Sequence, residues 1–283
     1  MSDNEVRSQR AAIKKPVFDI GADSASGSYF SSTVDGHRVY YNIWKPNGPT
    51  KAQVLFFHGL GEHIRRYDEV FARLSLGGIL VKGMDWRGHG RTFFRNANAT
   101  QGFHESFGQV FADMLQLLAI EVPGVKPGLP TFIAGHSMGG LLALSFVHHH
   151  KGQIPQLRGI ISQAPALATP KPIPWLIKIA AKLLGGWLGW IVQPNALDLD
   201  GLCSYEPVVH AYLKDPLVHG LISLRLLKDM LVHGELMKRV ARTFSTPVIV
   251  YHAHGDRFTS AKAAEEWVVS CGSLDKRFFG FTG

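Results

Sequence analysis

Short apolar runs and longer amphipathic stretches alternate along the chain from about residue 29. Short apolar runs bounded by turn residues are typical of buried strands, and an apolar face that repeats about every 3.6 residues is typical of a helix. The pattern predicts strands at 29–34, 38–44, 54–57, 79–84, 131–134, 159–163, 248–252 and 277–281. It predicts helices at 67–76, 106–120, 139–149 and 261–270.

The alternation indicates one α/β domain. The later strands are apolar on both sides, which is typical of a mostly parallel sheet with helices on both faces. A long, mostly helical section at about 166–235 interrupts the alternation and is interpreted as a cap insertion. Residues 1–28 are predicted to form a flexible tail, so the domain is expected to span 29–283.

Charge and cysteine usage narrow the partners. The net charge is +8, but the basic residues are scattered and no nucleic-acid-binding signature is present, so a nucleic-acid partner is not expected. A mildly basic globular surface is the simplest interpretation of the charge, and attraction to anionic lipid is the next. The two cysteines, Cys203 and Cys271, are far apart, and the N-terminus lacks an apolar signal region. Both features predict a reducing, cytoplasmic location.

A candidate nucleophile lies in the stretch "FIAGHSMGG". Gly135 to Gly139 has the form G-x-S-x-G, with Ser137 at its centre. A predicted strand ends at Ala134 and a predicted helix follows, as a sharp nucleophile elbow requires. A glycine-rich turn with an idle serine is the alternative.

The same chemistry needs two donors for an oxyanion. One is expected to be the backbone N–H of Met138, directly after the nucleophile. The second should follow an earlier strand, where "FHGLGEH" places the N–H of Leu60. A glycine-rich turn without a catalytic part is the alternative here.

Four segments, "HGLGEHIRRY", "MDWRGHGRT", "GHSMGG" and "HAHGDRFTS", occur in this order. Together they resemble the monoacylglycerol lipase family of α/β-hydrolases, over about residue 28 to the C-terminus. The resemblance implies an eight-stranded sheet, a helical cap and hydrolysis of monoacylglycerol to fatty acid and glycerol, without a cofactor or metal. It places Glu62 and Arg66 near the polar head of the substrate, and it makes the segment from Asp85 to Gly90 chiefly structural.

The acid of the site is expected to be Asp256, which follows the apolar strand at 248–252. In this fold the catalytic residues come in the order Ser, Asp or Glu, His. The family usually has glycine where this chain has Ala253. The alternative is that Asp256 is only a turn residue.

The base poses a difficulty, because none of the 27 residues after Asp256 is histidine. The family's histidine would lie just beyond Gly283, so we expect a truncated chain with impaired activity; a full-length protein that has lost its chemistry is the alternative. His254 is the first candidate for a substitute base, ahead of His58, His63 and His136. Residues 148–150 are three histidines near a helix C-terminus, where a solvated cluster is the simpler interpretation.

The cap contains a long apolar stretch at 173–192. Two lysines and three glycines in its middle argue against a membrane span. At helical spacing Lys178, Lys182, Gly185 and Gly189 form one narrow stripe, and the rest is apolar with three Trp. This pattern predicts a helix lying in a membrane or lipid-droplet interface. A helix that only packs over the sheet is the alternative.

The sequence therefore favours a lipid-directed serine ester hydrolase. Ser137 is the expected nucleophile, Asp256 the orienting acid, and Leu60 and Met138 the oxyanion donors. Two other functions stay open: another esterase or lysophospholipid hydrolase, and a non-catalytic lipid-binding protein.

Overall fold

The structure, a computed structural model, describes residues 27–171, 173–195, 201 and 203–282. The predicted tail therefore lies almost wholly outside the described residues. The strands are β1 (Ser28–Ser31), β2 (Arg38–Trp44), β3 (Ala52–Phe57), β4 (Ile79–Asp85), β5 (Thr131–His136), β6 (Leu157–Gln163), β7 (Val192–Pro194), β8 (Leu221–Ser223), β9 (Val248–Ala253) and β10 (Lys276–Phe281). The helices are α1 (Asp68–Leu76), α2 (Gly90–Arg95), α3 (Phe107–Ala119), α4 (Met138–His150), α5 (Trp175–Trp187), α6 (Glu206–Lys214), α7 (Leu224–Val240) and α8 (Ala261–Ser270).

Eight of these strands form one sheet in the order β1-β2-β4-β3-β5-β6-β9-β10. β2 pairs antiparallel with β1 and β4, and the remaining pairs are parallel. The expected mostly parallel sheet with helices on both faces, the α/β-hydrolase arrangement, is confirmed. The predicted strand at 29–34 is shorter in the structure and ends at Ser31, before the turn at Asp35.

Strand β3 shows why both faces of the sheet are covered. Successive side chains of a strand point to opposite faces. Leu55 and Phe57 accordingly join the core under α3 and α4, whereas Val54 and Phe56 join a second core under α1. Burying each such side chain contributes about 1.5–3 kcal/mol.

Polar caps set where three of the helices begin. A serine precedes α3, α7 and α8, namely Ser106, Ser223 and Ser260. Each hydroxyl accepts a hydrogen bond from the backbone N–H of the residue three positions later. Such an N-cap is worth about 1 kcal/mol. The predicted helices at 106–120 and 261–270 are confirmed on this basis.

The section between β6 and β9 holds α5, α6, α7 and a two-stranded sheet of β7 and β8. Its last helix, α7, runs past residue 235 and inserts Met237 into the main core. The section predicted as a cap insertion, about residues 166–235 and called the cap below, thus ends inside a helix that also packs into the main core. Within the described residues, no helix is both long enough and apolar enough to cross a membrane.

Candidate active site

The carboxyl ends of β3, β5 and β9 meet at one edge of the sheet, where ligands of open α/β sheets bind. The turn at 58–61 follows β3, Ser137 follows β5, and Asp256 follows β9. The topology therefore gathers the three sequence-predicted parts of the site at this edge.

Ser137 occupies a strained turn between β5 and α4. Its φ of 56° and ψ of −120° lie outside the regions that non-glycine residues favour. Glycines on both sides make the turn feasible. A Cβ on Gly135 would lie 2.1 Å from Gly139 O, and one on Gly139 would lie 2.1 Å from Phe57 O. The elbow therefore packs directly against the end of β3.

Backbone hydrogen bonds hold the elbow, and they leave its hydroxyl unengaged. The Ser137 N–H donates to Gln163 O (2.8 Å), and Ser137 O accepts from the N–H groups of Leu141 (3.2 Å) and Ala166 (3.1 Å). Within the described part of the chain, Ser137 Oγ makes no hydrogen bond. The backbone of Ser137 is thus fixed in place, while its hydroxyl has no hydrogen-bond partner among the described residues.

The turn after β3 comes close to this serine. A Cβ built on Gly59 would lie 3.4 Å from Ser137 Cβ, an ordinary contact distance, and only 2.6 Å from Glu62 Oε1, so this turn lies against both the serine and the Glu62 carboxylate. Among the described residues, the N–H groups of Leu60 and Met138 donate no hydrogen bond to any partner. Both amides are therefore available to an oxyanion beside Ser137.

Glu62 is the centre of a buried hydrogen-bond network, called the Glu62 network below. Its Oε1 accepts from the Gly59 N–H (2.6 Å) and the Tyr67 hydroxyl (2.6 Å) and lies 3.3 Å from His136 Nδ1. Its Oε2 accepts from Arg66 Nε at 3.2 Å. Burial raises the pKa of Glu62, but the hydrogen bond and charge of His136 outweigh burial and hold this pKa well below its ordinary value. Glu62 is therefore ionised.

Arg66 leads from the Glu62 network to the cap. Its Nη1 lies 3.8 Å from Asp215 Oδ2, and its guanidinium lies over the Tyr212 ring, 4.6 Å from the centroid. The side chain keeps 17% of its surface exposed. Arg66 is thus held between the turn at 58–61, called the oxyanion turn below, and the cap, and part of its side chain stays exposed.

A second contact fastens the cap to the same turn. His63 Nε2 lies 2.7 Å from Asp215 Oδ2, and the His219 N–H donates to Gly61 O at 2.8 Å. Burial raises the pKa of Asp215, but the hydrogen bond from His63 outweighs it and lowers that pKa. The cap segment 215–219 therefore clamps the loop that carries the oxyanion turn.

Asp256 is held by its own turn. Oδ1 accepts from the N–H groups of Phe258 (2.7 Å) and Thr259 (2.9 Å), and the Thr259 hydroxyl donates to Oδ2 at 2.8 Å. One strand, β6, separates β9 from β5. At about 4.8 Å per strand, Asp256 and Ser137 follow strands about 10 Å apart, which leaves room for one side chain between them.

His254 lies against the edge strand. Its N–H donates to Phe281 O at 2.9 Å, and its ring covers Gly280, where a Cβ would lie 2.2 Å from Nε2. This packing directs the ring toward β10. Nothing in its contacts brings it to Ser137.

The other histidines near the site are engaged elsewhere. His136 Nδ1 lies 2.9 Å from the Tyr67 hydroxyl. His58 is fully buried and stacks on Trp86, with ring centroids 5.3 Å apart. His252 is buried behind Asp256, with Nδ1 3.9 Å from its Oδ2. None of the contacts given for these three rings is with Ser137.

The segment from Asp85 to Gly90 has structural contacts. Asp85 accepts from the N–H groups of Ile64 and Arg91, each at 2.8 Å. Arg87 Nε donates to Asp113 at 2.8 Å, and its Nη1 donates to Asp35 at 2.6 Å. These contacts hold the turn between β1 and β2, which contains Asp35, and the loop after β3, which contains Ile64.

The three histidines at 148–150 form the last turn of α4. Partial burial and the neighbouring His149 lower the pKa values of His148 and His150. Across the described ranges, no three His, Cys, Asp or Glu side chains come together in a way that would hold a metal ion.

The stripe of α5 faces the protein. Both lysines of the stripe pair with Glu235, which lies on α7. Lys182 Nζ lies 2.5 Å from Glu235 Oε2, and Lys178 Nζ lies 3.8 Å from Glu235 Oε1. A Cβ on Gly185 would lie 2.6 Å from Leu224 O, so the two helices touch there.

The remaining surface of α5 and the residues after it is apolar and faces outward. Trp187 is 86% exposed. The other exposed side chains are Trp175, Leu176, Ile177, Ile179, Leu183, Leu184, Trp190 and Ile191. Several large apolar side chains exposed on one segment are typical of surfaces that contact lipid or another molecule.

Sequence comparison places this fold and site in a family. A profile described as serine aminopeptidase, S33 matches residues 48–283. The chain therefore belongs to the serine aminopeptidase S33 family of α/β-hydrolases.

Several relatives point to one group within that family. The chain is 30% identical to the monoglyceride lipase of Homo sapiens over 255 residues, which cover 86% of this chain and 77% of that protein. It is 29% identical to the monoacylglycerol lipase of Mycolicibacterium smegmatis, with 79% and 77% covered. It is 34% identical to an uncharacterised abhydrolase domain-containing protein of Dictyostelium discoideum, covering 83% of this chain and 24% of that protein.

Solved structures agree. The monoacylglycerol lipase of Paleococcus ferrophilus has a TM-score of 0.74 at 26% identity, with 87% of this chain and 89% of that chain covered. A soluble variant of the Saccharomyces cerevisiae monoglyceride lipase, in complex with a substrate analog, has a TM-score of 0.77 at 23% identity, with 95% and 90% covered, which shows the shared fold. The expected resemblance to monoacylglycerol lipases is confirmed.

Proposed function

We propose that this protein is a lipid-directed serine ester hydrolase that cleaves monoacylglycerol to a fatty acid and glycerol. One observation carries the proposal. Ser137 has a strained backbone, its Cβ lies 3.4 Å from the position of a Gly59 Cβ, and among the described residues its hydroxyl and the N–H groups of Leu60 and Met138 make no hydrogen bond. Similarity to monoglyceride lipases supports a lipid ester as the substrate.

In the proposed reaction, Ser137 Oγ attacks the ester carbonyl carbon while a base takes its proton. The carbonyl oxygen becomes an oxyanion that accepts from the N–H groups of Leu60 and Met138. The carbon–oxygen bond to glycerol then breaks, and glycerol leaves with the proton. Water cleaves the acyl-serine by the same steps and releases the fatty acid. This chemistry uses no metal or cofactor.

Asp256 is proposed to be the orienting acid of the site. The histidines at 58, 136, 252 and 254 pack elsewhere in the described residues. We therefore propose that the arrangement described hydrolyses esters slowly. Losing the base costs on the order of a million-fold in turnover, while oxyanion donors and binding retain about a thousand-fold over water.

We propose that the glycerol head binds at Arg66, with Glu62 behind it, because Glu62 Oε2 accepts from Arg66 Nε at 3.2 Å. The part-exposed guanidinium of Arg66 supports hydrogen bonding to hydroxyl groups.

The protein is further proposed to bind a membrane or lipid-droplet surface through residues 173–192. The exposed Trp and Leu side chains of α5 support this, because they would enter the acyl boundary of a lipid layer. A cytoplasmic location is proposed too, and the free cysteines Cys203 and Cys271 are in keeping with it.

Two alternatives make different predictions. A non-catalytic lipid-binding protein is favoured because no described histidine hydrogen-bonds to the Ser137 hydroxyl. A lysophospholipase or general esterase would share the same catalytic centre.

Substrate profiling tests the proposal. Purified protein is offered a monoacylglycerol, a lysophosphatidylcholine and a short-chain p-nitrophenyl ester, with Ser137→Ala as the blank. We expect Ser137-dependent release of fatty acid to be fastest from the monoacylglycerol. Faster release from lysophosphatidylcholine would make the protein a lysophospholipase, and lipid binding without release would favour the non-catalytic alternative.

A further inference from the structure

We propose that Glu62 is a positioning residue of the oxyanion hole, holding the Gly59–Leu60 turn at the correct place relative to the Ser137 elbow. This inference rests on the proposed function, because an oxyanion hole acts only in acyl transfer. It gives Glu62 a part in the reaction of any ester, whatever its alcohol.

One oxygen atom joins the two loops that carry the donors. Glu62 Oε1 accepts from the Gly59 N–H at 2.6 Å, and the next amide along the chain is that of Leu60. The same oxygen lies 3.3 Å from Nδ1 of His136, the residue before Ser137. A shift of the carboxylate therefore moves the two amides relative to each other.

A third contact fixes the carboxylate itself. The Tyr67 hydroxyl donates to Oε1 at 2.6 Å, and the Tyr67 ring packs on Phe56 and Phe71 with centroids 4.6 and 5.6 Å away. Both rings belong to the core under α1. Glu62 is therefore anchored, through Tyr67, to the packed core of the domain.

Both carboxylate oxygens are already engaged. Oε2 accepts from Arg66 Nε, and Glu62 is only 8% exposed. Removing this buried acceptor leaves the Gly59 N–H and the Tyr67 hydroxyl without their partner. The arrangement suits a carboxylate that holds a turn more than one that waits for a ligand.

The expected kinetic signature follows from when an oxyanion bond forms. Such a bond is stronger in the transition state than in the bound ester, so misplacing its donor lowers kcat and leaves KM little changed. The loss should be the same for an ester that has no glycerol. A carboxylate that binds the glycerol head would instead raise KM for monoacylglycerol alone.

The test compares Glu62→Gln with the parent chain on a monoacylglycerol and on p-nitrophenyl butyrate. Rates are counted only as the part that Ser137→Ala abolishes. Glutamine keeps one carbonyl acceptor but loses the charge and turns an amide toward Arg66. We expect kcat to fall about 10- to 100-fold for both esters, with KM within about twofold.

Glu69→Gln is the matched control. Glu69 lies on α1, pairs with Arg73 at 2.7 Å and is 80% exposed, so its substitution should change neither constant. Tyr67→Phe is a second variant that removes one donor to the same oxygen without removing the carboxylate. It should lower kcat severalfold on both esters.

An observation without catalysis completes the test. In protein labelled with [15N]glycine, the Gly59 amide proton should resonate far downfield because of its short, charge-assisted bond, and Glu62→Gln should move it upfield. An unmoved Gly59 resonance, or a loss confined to the monoacylglycerol, would overturn the positioning role. Absence of any Ser137-dependent hydrolysis in the parent chain would instead reject the proposed function.

Discussion

Asp215, in the cap, and His63, in the loop after β3, meet at 2.7 Å between Oδ2 and Nε2. The contact joins residues 152 positions apart and lies beside the turn that carries Leu60, one of the two proposed oxyanion donors. Because the His219 N–H also donates to Gly61 O, side chains and backbone hold the cap to this turn at two points. The cap is thus coupled to the loop after β3.

Asp215→Asn should loosen this coupling. The lost charge leaves His63 with a weaker partner, and we expect about 1–3 kcal/mol less stability at neutral pH. Hydrogen exchange should speed up in peptides that cover 58–66 and 215–219. Since the pKa of Asp215 is lowered in the fold, its stabilisation is present above the unfolded pKa of about 3.9 and is lost as pH falls through the folded value.

Glu206→Gln, an exposed change in the first turn of α6, is the control for this variant. Unchanged exchange in both peptides of Asp215→Asn would show that the contact does not hold the cap.

Replacing Trp187 and Trp190 with Ser should weaken binding to vesicles at least tenfold, because each exposed indole contributes on the order of 2 kcal/mol when buried. The lysines of α5 pair with Glu235, so apolar contact rather than charge should dominate. Cosedimentation with anionic vesicles measures this, and high salt should release only part of the protein. Leu274→Ser, an exposed change outside the cap, is the control, and an equal loss there would leave α5 as an ordinary cap helix.

Gly139→Ala should separate the elbow from the oxyanion turn. The added methyl would lie 2.1 Å from Phe57 O and 2.5 Å from His58 O, so the backbone must shift. We expect a cost of about 1–3 kcal/mol in unfolding free energy and loss of Ser137-dependent hydrolysis. Gly152→Ala has open space around it and should behave as the parent. A Gly139→Ala protein with parental turnover would mean that the elbow tolerates displacement.

Buried histidines should make the fold sensitive to acid. Burial lowers the pKa of His233 to about 4 and that of His219 to about 3, so both are neutral in the fold, whereas the unfolded chain takes up protons near pH 6.5. The unfolded state therefore binds more protons between pH 6.5 and 4. The stability of the fold accordingly decreases as the pH is lowered across that window. The His233 shift alone corresponds to about 3 kcal/mol.

Unfolding free energies at several pH values test this. His233→Asn should flatten the slope between about pH 6.5 and 4, and the exposed His210→Asn should leave it unchanged. An identical slope in His233→Asn would assign the acid sensitivity to other groups.

Local patterns carry most of what the sequence predicts. The elbow is recognisable because its glycines, serine, strand and helix lie within about a dozen residues, and the main strands show continuous apolar runs. The short strands β7 and β8, three residues each, are too brief to have a period and were not predicted.

Contacts between residues far apart in the chain could not be predicted from the sequence. The contact between Glu62 and His136 spans 74 positions, and no local pattern indicates it. The periodicity of α5 reveals a stripe of Lys178 and Lys182, but it does not tell which side faces the protein. That orientation depends on Glu235, on a helix that follows much later in the chain.

The most direct test of the account is chemical rescue with an external base. Monoacylglycerol hydrolysis is measured in mixed micelles with and without added imidazole, which has a pKa near 7 and can act as an external base. The parent, Ser137→Ala and the exposed control Ser270→Ala are compared. We predict slow hydrolysis alone and an increase of at least tenfold with imidazole, present in the parent and in Ser270→Ala and absent in Ser137→Ala. Turnover of several per second without imidazole, abolished by Ser137→Ala, would contradict the account by showing that the chain already supplies a base. Imidazole-stimulated hydrolysis that survives in Ser137→Ala would contradict the assignment of Ser137 as the nucleophile.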